Sequence, residues 1–266
     1  MRKLLATFLI LLLYTTPTWA GTDFTADGNC QGAWAMTSGG VENDLCSGGN
    51  EDLTESAADD MATSSVIIPG LTAVDARQFT DGDFEELDVA DGGSTDISGA
   101  DQKLTMCVWF NRDSDNEDDA LMSKYSTPDD ERAFRIQVED TGTGGMATCN
   151  LSANPGDGFT SAIAVTDVNT GEWHVVCCVY NDIDIRIYLD GLLDSGANNP
   201  KAHTTGINNS ATKFAIGARY DSGAPGASGF DGKISDSIIL DRDLSASEVW
   251  DISTDGIDGK RKRTIM

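Results

Sequence analysis

The stretch from Glu172 to Gly191, EWHVVCCVYNDIDIRIYLDG, constrains the chain most, because it reads as two β-strands joined by one turn and closed by another. From Ile183 the apolar residues take every second position (Ile183, Ile185, Ile187, Leu189), while Asp182, Asp184, Arg186, Tyr188 and Asp190 fall on the other face. Period two is the pattern of a half-buried strand. Asp190-Gly191 supplies the positive-φ pair of a two-residue hairpin turn, and Asn181-Asp182 serves less decisively between the strands. Trp173 to Tyr180 is apolar on both faces and is expected to be a central strand covered on both sides.

The same reading extends outward. Leu104 to Phe110 (LTMCVWF) is a second strand apolar on both faces, and Ala133 to Glu139 alternates, with Phe134, Ile136 and Val138 opposed to Arg135 and Gln137. Gly142 to Gly145 turns the chain into Met146 to Leu151. Both hairpins are expected to present one wet face, and Arg135, Gln137, Arg186 and Tyr188 are the candidate ligand-binding residues there.

Met1 to Ala20 has the form of a signal peptide: Arg2 and Lys3 lead an apolar run, Leu4 to Tyr14, too short to span a bilayer, and small Ala20 precedes Gly21. Removing it leaves 16 of the 18 Lys and Arg against 44 Asp and Glu, a net charge of −28. Such a surface repels nucleic-acid backbone and anionic membranes, and suits an exported, soluble protein without a membrane span. The 246 residues from Gly21 onward fit one all-β domain, 21–255, with 256–266 as a tail carrying the basic run Lys260-Arg261-Lys262-Arg263.

The six cysteines are even in number, which in an exported chain favours disulfides. With no Cys-x-x-Cys pair and only His174 and His203, a zinc site has no ligands. Six cysteines allow 15 connectivities, and the adjacent Cys177 and Cys178 must point to opposite faces of their strand.

Trp-His-Val-Val ahead of Val-Tyr, then Ile-Arg-Ile-Tyr-Leu-Asp-Gly, resembles the core hairpin of the laminin G and pentraxin branch of the concanavalin A-like jelly rolls. The order of motifs supports it: Leu104 to Phe110 before the hairpin, then Phe214 to Arg219, Phe230 to Leu240, and Leu244 to Val249, which is similar to a short closing helix. The resemblance implies a jelly-roll β-sandwich of two antiparallel sheets, with a first strand near Gly32 to Met36 lying beside the last. It implies a disulfide between Cys107 and Cys177, with Cys178 leaving the register open by one; Cys30 with Cys46 and Cys149 with Cys178 then complete the set. It also implies a calcium ion, with Asp129, Asp130 and Asp221 in the ligand positions. Arg219 stands where that pattern has Glu.

A second resemblance points to catalysis. Glu86-Leu87-Asp88-Val89-Ala90-Asp91 comes close to the Glu-x-Asp-x-x-Glu strand of retaining β-glucanases, which need a nucleophile and an acid a short distance apart. Asp91 is one methylene short of that acid, and Phe79 to Val89 also resembles the acidic, solvated edge strand of laminin G-like domains. The expectation is therefore a secreted, non-catalytic, lectin-like module recognising a glycan or an extracellular protein. The alternatives are a structural surface-display protein on the same sandwich and a glycoside hydrolase acting on β-glucans.

Overall fold

The computed structural model describes residues 21–37, 40–55, 61–66, 68, 74–80, 85–114, 118–126, 131–140, 144–156, 158–221, 224–225 and 229–260. In chain order the strands are β1 (Cys30–Trp34), β2 (Val41–Glu42), β3 (Leu53–Glu55), β4 (Thr63–Val66), β5 (Val74–Phe79), β6 (Leu87–Val89) and β7 (Leu104–Arg112). There follow β8 (Asp119–Tyr125), β9 (Arg132–Asp140), β10 (Gly145–Leu151), β11 (Thr160–Val168), β12 (Trp173–Tyr180) and β13 (Asp184–Leu189). The short β14 (Leu192–Leu193) and β15 (Lys201–Ala202) precede β16 (Phe214–Ile216), a hairpin of β17 (Tyr220–Asp221) with β18 (Ala224–Pro225), and β19 (Gly232–Leu240). Helix α1 (Ala246–Asp255) comes last.

Two antiparallel sheets face each other. The first runs β14-β13-β12-β7-β19-β5-β4, with β1 added on β19; the second runs β11-β10-β9-β8-β16-β6-β3-β2. The expected jelly-roll β-sandwich is what forms, and β1 does lie beside the last strand, with Trp34 opposite Ser237. Alternation decides which side chains enter the sandwich. Ile185, Ile187 and Leu189 of β13 join Phe110, Phe134, Ile136 and Phe214 in the main core, each fully buried large side chain contributing roughly 1.5–3 kcal/mol. Ile183 does not join them: it lies in the turn before β13 and is exposed. The turn residues behave as read, with Asp182, Asp190 and Gly191 at positive φ. A Cβ at Gly191 would collide with Ser253 of α1, so the turn is also pressed against the helix.

The outer face of the first sheet is covered by a third layer. Trp109, Val175, Cys177, Val179 and Tyr188 pack there against Phe24, Leu244, Val249, Ile252 and Ile257. Helix α1 starts at a capping box in which the Ser245 side chain accepts from Glu248 N while the Glu248 carboxylate accepts from Ser245 N. Ile257 is buried in this layer and its carbonyl accepts from Phe24 N, so packing continues past residue 255. Among the described residues no helix is long and apolar enough to cross a membrane.

All three disulfides form as expected. Cys107 and Cys177 are direct cross-strand partners on β7 and β12, with Cα atoms 4.1 Å apart, on the face toward α1. Cys178 points the other way and crosses the core to Cys149 of the second sheet. Cys30–Cys46 closes the N-terminal loop.

Candidate functional site

The outer face of the second sheet is polar by register. Thr54, Asp88, Ala215, Ser123, Arg135, Asn150 and Ser161 stand directly opposite one another on successive strands, forming a row across β3, β6, β16, β8, β9, β10 and β11. Arg135 and Gln137 are two residues apart on β9 and so share this face. The expectation that it is wet is corrected: Arg135 is 7% and Gln137 2% exposed. The cover is the segment after β16. The Ser123 hydroxyl donates to the Ala218 carbonyl at 2.7 Å, Tyr220 forms a parallel bridge with Ser126, and Arg219 lies over the Tyr125 ring.

Arg135 is the centre of this cover. Its guanidinium sits 4.7 Å from the Tyr125 ring centroid and 5.4 Å from that of Phe159, and the two rings stack on each other at 5.1 Å. Arg132 lies 5.9 Å from Tyr125 and Arg219 5.7 Å, so three guanidiniums meet one aromatic pair in a protein of net charge −26. Stacking on a ring face offsets part of the cost of burying a cation. It satisfies no N–H group. Nε and Nη1 of Arg135 are buried with no acceptor among the described residues. Burial first, and then the charge of Arg219, lower the Arg135 pKa to about 10 despite the opposing pull of Tyr125, Glu139 and Asp118. Gln137 donates from Nε2 to Glu139 Oε1 at 2.8 Å, which fixes its amide and leaves Oε1 buried without a donor.

The second pair of proposed ligand-binding residues lies elsewhere. Arg186 and Tyr188 are on the outer face of the first sheet. Tyr188, 4% exposed, is packed in the layer under α1, where a wet face was expected. Arg186 is partly exposed and binds Asp184, Nε to Oδ1, at 2.8 Å. The sandwich thus separates the four residues into two pairs on opposite outer faces.

The acidic strand is also not an edge. β6 lies between β16 and β3, and Glu86 and Asp88 are buried, 1% and 8% exposed, contrary to the solvated edge read from the sequence. Neighbouring strands on both sides explain this. The Tyr220 hydroxyl lies 2.6 Å from Glu86 Oε1 and 2.6 Å from Asp88 Oδ2, with Lys213 Nζ 3.0 Å from the same Asp88 oxygen. Burial, then the Asp88 charge, push Glu86 up to about 7 against the pull of Tyr220 and Lys213. Burial and both carboxylates push the Tyr220 hydroxyl up as well. The third carboxylate of the glucanase-like motif is held apart: Asp91 accepts from Lys124 Nζ at 2.6 Å, and Lys124, opposite core residues Phe134 and Phe214, leaves its strand toward the sandwich.

Asp129 and Asp130 lie outside the described residues, and Asp221 is described only through its backbone in β17. Among the described residues no group of three carboxylates, His or Cys forms a metal-binding cluster. Along the chain Arg132 stands two positions after Asp130 and Arg219 two positions before Asp221.

Sequence reading missed Tyr125, Phe159 and Arg132 as site residues. Phe159 lies in a connection between β10 and β11, without periodicity to mark it. Tyr125 closes a short strand that reads only as core.

A family model of the concanavalin A-like lectin/glucanases superfamily, of laminin G type, matches residues 81–250. No curated protein matches the sequence. Among solved structures the fold is similar to domain 4 of AbnA, a GH43 extracellular arabinanase from Geobacillus stearothermophilus, in complex with arabinotriose. The identity is 14% and the TM-score 0.60, over 85% of this chain and 98% of that one. It is also similar to the botulinum neurotoxin serotype G binding domain (10% identity, TM-score 0.58, 85% and 50% covered). A third likeness is to botulinum neurotoxin type C, whose cell entry depends on interaction with two ganglioside molecules (13% identity, TM-score 0.59, 85% and 51% covered). The chain spans about half the length of the two toxin chains, and at these identities the likeness is one of fold.

Proposed function

Because the chain belongs to the laminin G type of the concanavalin A-like lectin/glucanases superfamily, we propose that it is a secreted, non-catalytic recognition module whose ligand is a glycan. The observation that carries this reading is the buried polar row on the second sheet, where Arg135 and Gln137 hold unused hydrogen-bonding atoms beside the stacked Tyr125 and Phe159. A few convergent polar groups beside aromatic side chains are the usual chemistry of a small-ligand site. Three disulfides and the laminin G fold support an extracellular setting. The similar arabinanase domain was solved with arabinotriose, which supports a saccharide as the ligand class.

A glycan array probed with the oxidised protein is the test, and no binding to any glycan overturns the reading. Release of reducing sugar from β-glucans, abolished by Glu86→Gln, would replace it with hydrolysis. A second reading, assembly into a larger surface structure, draws on exposed Leu192, Leu193, Val165 and Trp250. Leu192 and Leu193 line a shallow groove of about 330 Å³ with Thr166 and Asp194. Sedimentation of the protein as a monomer at high concentration argues against that reading.

A further inference from the structure

The outer face of the first sheet carries a cavity of about 220 Å³ beside the Asp190-Gly191 turn. Its floor is apolar: Trp109, Val175 and Ile68 line it and are 2%, 5% and 5% exposed. Strand pairing builds that floor, since Val175 stands opposite Trp109, and Trp173, two residues along β12 from Val175, shares their face and lines the cavity too. His174, Asp190 from the turn and Ser253 from α1 complete the lining. Asp190 alone among these residues is exposed, with 53% of its side chain accessible. The cavity thus has an aromatic floor and opens at a carboxylate. It is smaller than the clefts that hold drug-sized ligands, roughly 300–1,000 Å³, and has room for a single ring.

The Asp190 carboxylate is fixed before any ligand arrives. Its Oδ1 accepts from Val175 N at 3.0 Å and its Oδ2 lies 3.0 Å from His174 Nδ1, while Asp190 N donates to the Val175 carbonyl at 2.8 Å. A carboxylate has about four lone-pair sites, and these contacts occupy one on each oxygen. No other described residue donates to either oxygen, so each keeps an open acceptor site beside the other. The Ser253 hydroxyl donates to the Trp250 carbonyl at 2.7 Å, which leaves its oxygen as an acceptor as well. The polar groups of the cavity therefore call for donors, and Asp190 calls for two of them on neighbouring atoms. A vicinal diol has that form. An ammonium presents its donors from one atom and gains little from a carboxylate as exposed as this one. An anionic ligand would meet both Asp190 and a protein of net charge −26.

We propose that this cavity binds one ring of a neutral saccharide, with a vicinal diol on Asp190 and a C–H face of the ring against Trp109 and Trp173. The inference rests on the glycan-recognition reading and gives it a place on the first sheet, on the opposite outer face of the sandwich from Arg135. Asp190 also lines the groove of about 330 Å³ that holds Leu192 and Leu193. Cavity and groove meet at this residue, so a second ring joined to the first can lie along the two leucines. An oligosaccharide should then bind more tightly than its monosaccharide.

The test follows the tryptophan fluorescence of the full oxidised protein during titration with arabinotriose, cellotriose and mannotriose, with their fully O-methylated forms, and with benzylammonium. At least one of the three trisaccharides is expected to bind and change the fluorescence, its monosaccharide to bind at least tenfold more weakly, and its methylated form, which has no donors, not to bind. Asp190→Asn removes one acceptor while suiting the positive-φ position, and is expected to weaken the trisaccharide at least tenfold. Should that variant fail to fold by melting temperature, Trp173→Leu, which leaves the turn intact, is expected to weaken it as much. Unchanged binding by the variants, or equal binding of a trisaccharide and its methylated form, overturns the site. Benzylammonium bound more tightly than any trisaccharide overturns the diol assignment. If none of the trisaccharides binds but another glycan on the array does, the inference falls alone; if the array is blank, the functional reading falls with it.

Discussion

Tyr220 has one hydroxyl proton and two carboxyl oxygens at 2.6 Å, on Glu86 and Asp88. It donates to one of them; the other contact is a hydrogen bond only if that carboxyl carries its own proton. Burial, with the Asp88 charge, raises Glu86 from 4.5 to about 7, which makes Glu86 the carboxyl that carries the proton. The sign follows by linkage. The folded state keeps a proton on Glu86 at pH values where the unfolded chain has lost it. The stability this confers is complete below pH 4.5 and disappears as the pH rises through 7. Between pH 5.5 and pH 8 the loss is about 2 kcal/mol. Asp119, pushed up to about 7 by burial against the pull of Arg112, adds a slope of the same sign, so the comparison has to be made with a variant. Glu86→Gln donates an amide N–H to Tyr220 at every pH. Urea unfolding followed by tryptophan fluorescence, disulfides intact, should show the variant about 2 kcal/mol less pH-dependent than the parent, with the gain at pH 8. An unchanged slope would refute the shared-proton reasoning.

Ser245→Ala removes the capping box of α1 and should cost about 1 kcal/mol, lowering the melting temperature by a few degrees; an unchanged melt would show that the third layer holds the helix without its cap. Thiol titration in denaturant without reductant should find no free cysteine, and the double variant Cys149→Ser/Cys178→Ser should lose about 3–4 kcal/mol on chain-entropy grounds. Two reactive thiols in the parent would contradict the pairing. If Asp129, Asp130 and Asp221 share an ion, calcium should raise the melting temperature more than magnesium at equal ionic strength, and Asp221→Ala should abolish that advantage. Equal effects of the two cations would rule the site out.

Alternation reported which residues share a face and did so well: Ile185, Ile187 and Leu189 go inward, and Cys177 and Cys178 diverge to different partners. Strand pairing itself was legible in the Asp190-Gly191 turn. What alternation cannot report is the cover laid over a face. Tyr188 reads as wet because nothing nearby in sequence announces that α1, some 60 residues later, will lie on it. Arg135 reads as wet for a like reason: Arg219, far along the chain, lies over the same Tyr125 ring that Arg135 faces. Glu86 and Asp88 were misplaced by a neighbour count: three strand residues bounded by acidic turns look like an edge until β3 and β16 pair on either side.

The two adjacent cysteines of β12 also decide what survives a cut. Any single peptide bond broken between Cys107 and Cys177 leaves both pieces on one covalent molecule, since Cys107–Cys177 spans the whole interval and Cys149–Cys178 spans its second part. The span includes β8, β9 and β10, which carry Arg135 and Tyr125. A break between Cys46 and Cys107 has no such tether, and the released N-terminal piece is held by non-covalent contacts alone, among them the pairing of β1 on β19 and the packing of Phe24 in the layer under α1. Breaks beyond Cys178 are equally untethered. Nicked protein should therefore run as one species without reductant when the binding strands are cut, and as two when the flanking strands are. The chain guards the continuity of β8, β9 and β10 more closely than that of its flanking strands.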